Sequence, residues 1–192
     1  MGKKIIISIC LISVSYNLFS QKENIVQTGL TRAMLTISPA KMLSSSNSYF
    51  YLHGNLEVYL NKNYSFSGEG YFYQGILAKN RSEFFYNHSL FFGFSKHFVK
   101  GNFDYYLGIQ PGFSFTDVIP PYDNFAKTTK MAVNPMFSAI TGINYFVGNF
   151  FHFFVQSRLV LGNHSTDFIL NLADLRFSAG LGFNINNLKT KN

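Results

Sequence analysis

Residues 174–186 read Asp-Leu-Arg-Phe-Ser-Ala-Gly-Leu-Gly-Phe-Asn-Ile-Asn, and this stretch alternates strictly between polar and apolar positions. The odd-numbered positions from Leu175 to Ile185 carry apolar side chains, whereas the even-numbered positions from Asp174 to Asn186 carry polar residues or glycine. Successive side chains of a β-strand point to opposite sides, so this pattern predicts a strand with two unlike faces.

The same alternation recurs along the chain, in segments separated by turn-forming residues. We predict eight strands, at residues 28–38, 49–60, 64–76, 84–98, 103–116, 132–146, 150–162 and 174–186. The connections alternate in length: short turns lie at 61–63, 99–102 and 147–149, and longer polar loops lie at 39–48, 77–83, 117–131 and 163–173. Short periplasmic turns and long outward loops are typical of outer-membrane barrels, and an even strand number places both chain ends on the periplasmic side.

The N-terminal segment has the pattern of a secretory signal peptide. Lys3 and Lys4 precede an apolar run from Ile5 to Val14, and a short polar region ends at Ser20. The run is shorter than the ~20 apolar residues that a membrane-spanning helix needs. We therefore predict a signal peptide at residues 1–20, with cleavage after Ser15 as the competing choice, and one barrel domain at residues 21–192.

Composition separates a membrane barrel from a soluble lipocalin-like barrel, whose strands also alternate. Only 13% of the chain is charged, and the polar strand positions carry Ser, Gly, Asn, Gln and Tyr rather than the Lys and Glu of a solvated face. Small polar residues suit a narrow, packed interior, and aromatic residues suit lipid. The pattern favours an all-β fold, a single transmembrane up-and-down antiparallel β-barrel, in the outer membrane of a Gram-negative bacterium.

Aromatic residues flank the predicted turns and loops, as expected for rings at the two membrane–water interfaces. The predicted periplasmic girdle comprises Tyr59, Tyr64, Phe98, Phe103, Phe146 and Phe150. The predicted outer girdle comprises Tyr49, Phe50, Phe84, Phe85, Phe115 and Phe168.

Several kinds of site have no signal in the sequence. The net charge of +7 is scattered rather than clustered, which argues against a nucleic-acid partner. The single cysteine, Cys10, lies in the predicted signal peptide, so the mature chain would have no disulfide. There is no Gly-rich phosphate loop and no His, Asp and Glu cluster with metal-ligand spacing, so we expect no cofactor and no metal.

Charged residues on the polar faces of the predicted strands would lie inside the barrel. Eight strands leave an interior just wide enough for side chains to fill, and an ionised group there needs a partner of opposite charge. We predict a salt-bridged network that holds the barrel shut; a proton relay or substrate gate is the alternative. The residues of this network are Arg32, Glu57, Glu69, Asp104, Arg158 and Arg176.

The predicted mature chain resembles, over its whole length, the small eight-stranded outer-membrane barrels of the OmpX, OmpW and OmpA type. Its high Phe, Tyr and Asn content is similar to that of such proteins from Bacteroidetes. The last strand resembles the signal that the barrel-insertion machinery reads. This signal consists of a polar residue, a glycine two positions later, and aromatic residues three and five positions after the glycine. Ser178, Gly180 and Phe183 match this signal, and Ile185 replaces the final aromatic residue. The resemblance implies the insertion machinery as a partner.

Two stretches place His beside Ser, Asn87-His88-Ser89 and Asn163-His164-Ser165. Two other small outer-membrane barrels, the lipid A deacylase and the lipid A palmitoyltransferase, use His and Ser near the outer rim, and the deacylase motif separates the two by one residue. Adjacent residues of a strand point to opposite faces, so neither stretch matches. We predict that the chain is not an enzyme and has no catalytic residues.

The outward loops remain as candidates for function. Lys79, Arg81, Lys127 and Lys130 could bind lipopolysaccharide phosphates through charge-assisted hydrogen bonds, and a solvated surface is the alternative. The longest loop contains Ile-Pro-Pro-Tyr at 119–122, which predicts a stiff adhesion or partner-binding tip, against a loop that folds over the barrel mouth. We expect a structural or interaction role in the envelope, with a surface or envelope protein as a partner. The alternative is a narrow channel or transporter for small hydrophobic compounds, and a lipid A-modifying enzyme comes third.

Overall fold

The computed structural model describes residues 25–77, 82–119, 131–166 and 169–186, and the secondary structure of these residues is all β. The strands are β1 (Leu30–Met42), β2 (Ser48–Tyr59), β3 (Tyr64–Ile76), β4 (Phe84–Lys100), β5 (Phe103–Val118), β6 (Ala132–Val147), β7 (Phe151–Ser165), β8 (Ile169–Asn171) and β9 (Asp174–Asn186). The predicted signal peptide at residues 1–20 lies outside the described residues.

No helix among the described residues is long and apolar enough to cross a membrane.

Eight of the nine strands close into an antiparallel barrel. From β1 to β7 each strand pairs with the next, and β9 pairs with β7 on one side and β1 on the other, so the first and last barrel strands meet. The short β8 pairs with the end of β7 and lies outside the ring. Closure gives each of the eight barrel strands a paired neighbour on both sides over at least part of its length. The prediction of an eight-stranded all-β barrel is confirmed.

The faces of β9 show which side of the wall is apolar. Phe177 and Phe183 are 48% and 55% exposed on the outside, whereas Arg176 and Ser178 are 1% and 3% exposed and face inward. The outward face is therefore apolar and the inward face polar. This is the reverse of a soluble barrel and the arrangement that lipid requires.

The three short turns have the local chemistry that tight reversals need. In the first turn the side-chain oxygen of Asn61 accepts hydrogen bonds from the backbone N–H of Asn63 (2.8 Å) and of Tyr64 (2.9 Å). The other two turns contain Gly101 and Gly148, with φ of 59° and 68°, a region that other residues rarely adopt.

The first loop is shorter than predicted because β1 continues through Pro39 to Met42. Pro39 lies opposite Phe50, in a stretch where no main-chain pair joins β1 to β9. Proline has no backbone N–H to donate, and at this position that costs no hydrogen bond to β9. Side-chain hydroxyls bridge this stretch: Thr36 donates to the carbonyl of Ala179 at 2.8 Å, and Ser38 donates to that of Phe177 at 2.7 Å.

The wall between β3 and β4 is irregular at the loop end. Main-chain pairing runs from Tyr64 to Tyr71, which pairs with Ser89, and the described residues show no further pairs beyond that point. The N–H of Tyr73 donates instead to Nδ1 of His88 at 3.0 Å. The His88 side chain therefore occupies a position where a regular ladder would have a main-chain acceptor.

Several aromatic residues lie on the other side of the wall from the predicted girdles. Tyr59 and Phe146 are each 1% exposed and point inward, because the alternation that turns Glu57 inward continues to the strand end. Phe84, predicted for the outer girdle, is buried, whereas its neighbour Phe85 is 43% exposed; the β4–β5 register shifts between Phe84 and Tyr86. Tyr49 is also buried, and Phe168 lies outside the described residues. Tyr64, Phe98, Phe103 and Phe150 are exposed.

Candidate functional site

The six charged residues predicted for the lumen all face inward, and none is more than 4% exposed. They come from six different strands and form three separate groups along the barrel rather than one network. From the turn end to the loop end, the groups contain Arg32, Glu57 and Asp104, then Glu69 and Arg158, and then Arg176.

The turn-end group is bridged by a histidine that the prediction omitted. Arg32 forms an ion pair with Glu57, and its Nη1 lies 3.8 Å from Asp104. Nε2 of His97 lies 3.1 Å from Glu57, and Nδ1 lies 2.9 Å from Asp104. A neutral imidazole has a single N–H, so an imidazolium with two N–H groups is the form that satisfies both carboxylates. Tyr59 also donates to Asp104, and Asn144 does so at 3.1 Å.

The middle group centres on Glu69. Its Oε1 lies 2.6 Å from Nη2 of Arg158, and its Oε2 lies 3.1 Å from Nε2 of His53. Gln110 and Gln156 donate to the same carboxylate at 3.2 Å and 3.1 Å. Because each oxygen has more than one partner, this buried charge is well compensated.

The loop-end group pairs Arg176 with Asp174, two residues earlier on the same strand. Nε of Arg176 donates to Oδ1 at 2.8 Å, Nη2 donates to Oδ2 at 3.0 Å, and Nη1 donates to Ser89 at 2.7 Å. Two parallel bonds of this kind are the strongest arginine–carboxylate geometry. Asp174 was absent from the predicted network, although the alternation of β9 already placed it on the same face as Arg176.

Arg158 and Arg176 lie directly opposite each other in the β7–β9 register, a placement that repels unless each charge is compensated. Each arginine turns to its own carboxylate, and aromatic rings pack against both. The guanidinium carbon of Arg158 lies 4.7 Å from the centre of the Phe91 ring, and that of Arg176 lies 4.6 Å from the centre of the Tyr71 ring.

With His97 and Asp174 included, the charges of these three groups balance. The three groups contain four carboxylates, which face three arginines and one imidazolium. Apolar residues pack beyond the charges at both ends. The turn-end cluster comprises Val26, Leu30, Tyr59 and Phe146. The loop-end cluster includes Met42, Tyr49, Phe84, Val118, Met136, Val160 and Leu172.

The two His–Ser stretches do not form a catalytic pair. His88 lies on the outer side of β4, whereas Ser89 is 1% exposed in the lumen and bonded to Arg176. His164 is fully buried, with its ring nitrogens 2.7 Å from the Thr116 hydroxyl and 2.8 Å from the Thr166 hydroxyl. The described residues contain no group of three or more His, Cys, Asp or Glu arranged to hold a metal ion.

The other predicted site residues lie on the wall or in the loops. Ser178 is buried, Gly180 is partly buried, and Phe183 and Ile185 are 55% and 52% exposed on the lipid-facing side of β9. Lys79, Arg81, Lys127 and Lys130 all lie outside the described residues, as does most of the predicted Pro-Pro tip.

Comparison with solved structures identifies small outer-membrane barrels. Neisserial surface protein A (NspA) has a TM-score of 0.62 and 16% identity, covering 80% of this chain and 95% of that one. The N-terminal β-barrel domain of Pseudomonas aeruginosa OprF has a TM-score of 0.56 and 12% identity, covering 83% and 98%. Ail, the attachment invasion locus protein of Yersinia pestis, has a TM-score of 0.52 and 11% identity, covering 83% and 100%.

The sequence matches no protein-family model, and a search of curated proteins finds no match. At identities this low the likeness concerns the fold alone. The chain therefore has the fold of the small outer-membrane β-barrels.

Proposed function

We propose that this chain is an outer-membrane barrel with a plugged lumen and a structural or interaction role at the cell envelope. The observation that carries the proposal is the filling of the lumen by three charge-balanced groups between two apolar clusters. Because each of these side chains is held by several partners, the lumen should not open into an aqueous path. Function would then depend on the outer surface and the loops.

In this proposal the short turns face the periplasm and the long loops face outward. The barrel-insertion machinery would read Ser178, Gly180, Phe183 and Ile185 during assembly. Lys79, Arg81, Lys127 and Lys130 would contact lipopolysaccharide phosphates, and the loop at 117–131 would offer a surface for a partner. Two of the proteins with similar structures are named a surface protein and an attachment invasion locus protein, which agrees with a surface role.

Conductance in planar bilayers tests the plugged lumen. The wild-type protein should show no stable large openings, whereas a Glu69→Ser and Arg158→Ser double variant, which removes the middle ion pair, should conduct. The double variant is the control that shows the assay can detect a pore. Stable openings of the wild-type protein would overturn the proposal.

Loop variants test the surface role. Deleting residues 119–128 should leave heat-modifiable migration on gels unchanged and abolish surface binding, whereas replacement of Lys127 and Lys130 by Gln should weaken binding to lipopolysaccharide vesicles. Lys62→Gln, in a turn at the other end of the barrel, is the matched control and should bind normally. Equal binding by all of these variants would remove the loops from the proposal.

The proposal also predicts no deacylation or acyl transfer when the protein is incubated with lipid A, as read by mass spectrometry.

One observation favours the alternative, transport of small hydrophobic compounds. Beyond Tyr71 and Ser89 the described parts of β3 and β4 form no main-chain pairs, and the His88 ring lies in this gap, 5.8 Å from the ring centre of Phe72. A lateral path between membrane and lumen would pass here. His88→Ala should then speed uptake of a hydrophobic dye into proteoliposomes relative to Leu90→Ala, which lies where the ladder is intact. Equal rates would reject this alternative.

A further inference from the structure

The charges on the outside of the barrel are unbalanced. Among the described residues the lysines at 41, 62, 96 and 100 are all exposed. Of the six described carboxylates, five are buried in the barrel, and only Glu83 at the loop end is partly exposed. The counterions of the exterior lysines must therefore come largely from outside the described chain.

Lys96 stands on the lipid-facing side of β4. It pairs with Tyr64 of β3 and Leu107 of β5, and its outward neighbours Phe94 and Phe98 are 60% and 49% exposed. Its Nζ lies 5.4 Å from the centre of the Phe98 ring, on the side of Lys96 nearer the turns. A lysine on such a surface is tolerated when its stem follows the apolar wall and its ammonium group reaches the charged interface.

Two grooves meet at Lys96, and Lys100 lines one of them. One groove of about 530 Å³ is lined by both lysines together with Asn63 and Tyr105. A second groove of about 590 Å³ begins at Lys96 and continues along the lipid-facing wall, where Phe94, Leu107, Ile109 and Ala139 line it. A cationic centre that opens into a long apolar groove matches the shape of a phospholipid, with a phosphate at one end and a hydrocarbon chain at the other.

We propose that Lys96 and Lys100 bind the phosphate of an anionic phospholipid, one of whose chains lies in the groove along Ile109 and Ala139. Charge complementarity selects the headgroup, because no described carboxylate is available to either lysine on this side of the wall. The site rests on the proposed function for its location, since the turn end faces the periplasmic leaflet only in the proposed orientation.

Because the chain contains no tryptophan, a single introduced one reports on this groove. The full chain carrying Ile109→Trp is placed in nanodiscs that contain chain-brominated phosphatidylglycerol or phosphatidylcholine at equal mole fraction. Quenching should be stronger with the brominated phosphatidylglycerol. Phe113→Trp, on the same strand and face with 51% exposure against 60% for Ile109, lies outside the groove and should be quenched equally by both lipids.

Replacement of Lys96 and Lys100 by Gln in the Ile109→Trp protein should reduce the preference for phosphatidylglycerol by roughly fivefold for each lysine. Lys62→Gln, at the same end of the barrel, and Lys41→Gln, at the other end, should leave the preference unchanged. If the Ile109→Trp protein shows no preference for phosphatidylglycerol, the site is overturned. It is also overturned if Lys62→Gln loses the preference to the same extent, because the lysines would then attract the anionic lipid without a defined site.

The orientation is tested separately, so the two proposals can fail independently. Nanodiscs present both leaflets, and the quenching result holds whichever end faces the periplasm. Lys62→Cys should resist a membrane-impermeant maleimide in intact cells and react after the outer membrane is permeabilised.

Discussion

The turn-end and loop-end halves of the barrel differ in how they are held together. At the turn end the ladders are continuous and the lumen contains a bridged group, in which Arg32 and His97 share two carboxylates. At the loop end the register shifts at two places, the β3–β4 ladder stops, and an apolar cluster that includes Tyr49, Tyr51 and Phe84 packs in the lumen beside the Arg176–Asp174 pair. Directional polar contacts require a regular backbone, whereas apolar packing tolerates an irregular one. We therefore infer that the backbone can vary more at the loop end than at the turn end.

The largest effect is expected from Arg32→Met at the turn end. The change leaves Glu57 and Asp104 buried with His97 as their only cation, and loss of one partner of a buried ion pair costs about 3–5 kcal/mol. Urea unfolding of the protein in detergent, followed by the gel-mobility shift, measures this loss. The control adds Glu57→Leu to the same protein and should recover most of the stability. A single variant as stable as wild type would show that the group contributes nothing.

Arg176→Met at the loop end should cost about 3 kcal/mol, at the low end of the same range, because one carboxylate, Asp174, loses its arginine, whereas Arg32 lies beside two. The same unfolding experiment, run beside Arg32→Met, compares the two halves directly. Equal or reversed losses would contradict the difference that we infer between them.

Tyr71 lies between the two halves, and its hydroxyl accepts hydrogen bonds from Gln156 at 3.1 Å and from Arg158 at 3.2 Å. Tyr71→Phe should cost about 1–2 kcal/mol, because two buried donors lose an acceptor. The matched control is Tyr106→Phe, which removes one hydrogen bond to Gln156 and should cost about half as much. Because both variants keep the ring, a larger loss in Tyr106→Phe would contradict the assignment of the effect to the two hydrogen bonds that the Tyr71 hydroxyl accepts.

The smallest effect is expected from Lys41→Gln on the outside of the loop end. Lys41 is exposed and donates to the backbone carbonyl of Ser46, and substitutions of this kind usually stay within about 0.5 kcal/mol. The same unfolding assay should give a midpoint close to that of wild type. A clear decrease in the unfolding midpoint would contradict this expectation and would show that contacts on the exterior of the loop end also stabilise the barrel.

Much of the wall could be predicted because alternation is a local property. The bounds predicted for 64–76 and 174–186 coincide with those of β3 and β9, and the inward phase of Arg32 and Glu57 follows from the residues beside them. Errors occurred where the backbone departs from regular alternation. Beside the register shift Phe84 turns into the lumen instead of joining the predicted outer girdle. Pro39 lies inside β1, in a stretch where no main-chain pair joins β1 to β9.

The sequence by itself determined that the chain forms strands, which face of each strand is apolar, and that charged residues lie on the other face. The tertiary structure alone decided which charges meet. His97 of β4 reaches Glu57 on β2 as well as Asp104 on the adjacent β5. Arg158 of β7 donates to Ser138 on the adjacent β6 but forms its ion pair with Glu69 on β3, because barrel closure and strand stagger bring these strands together across the lumen. Side-chain direction is set by neighbours along the chain, but partners across a closed barrel are set by the register of every strand between them.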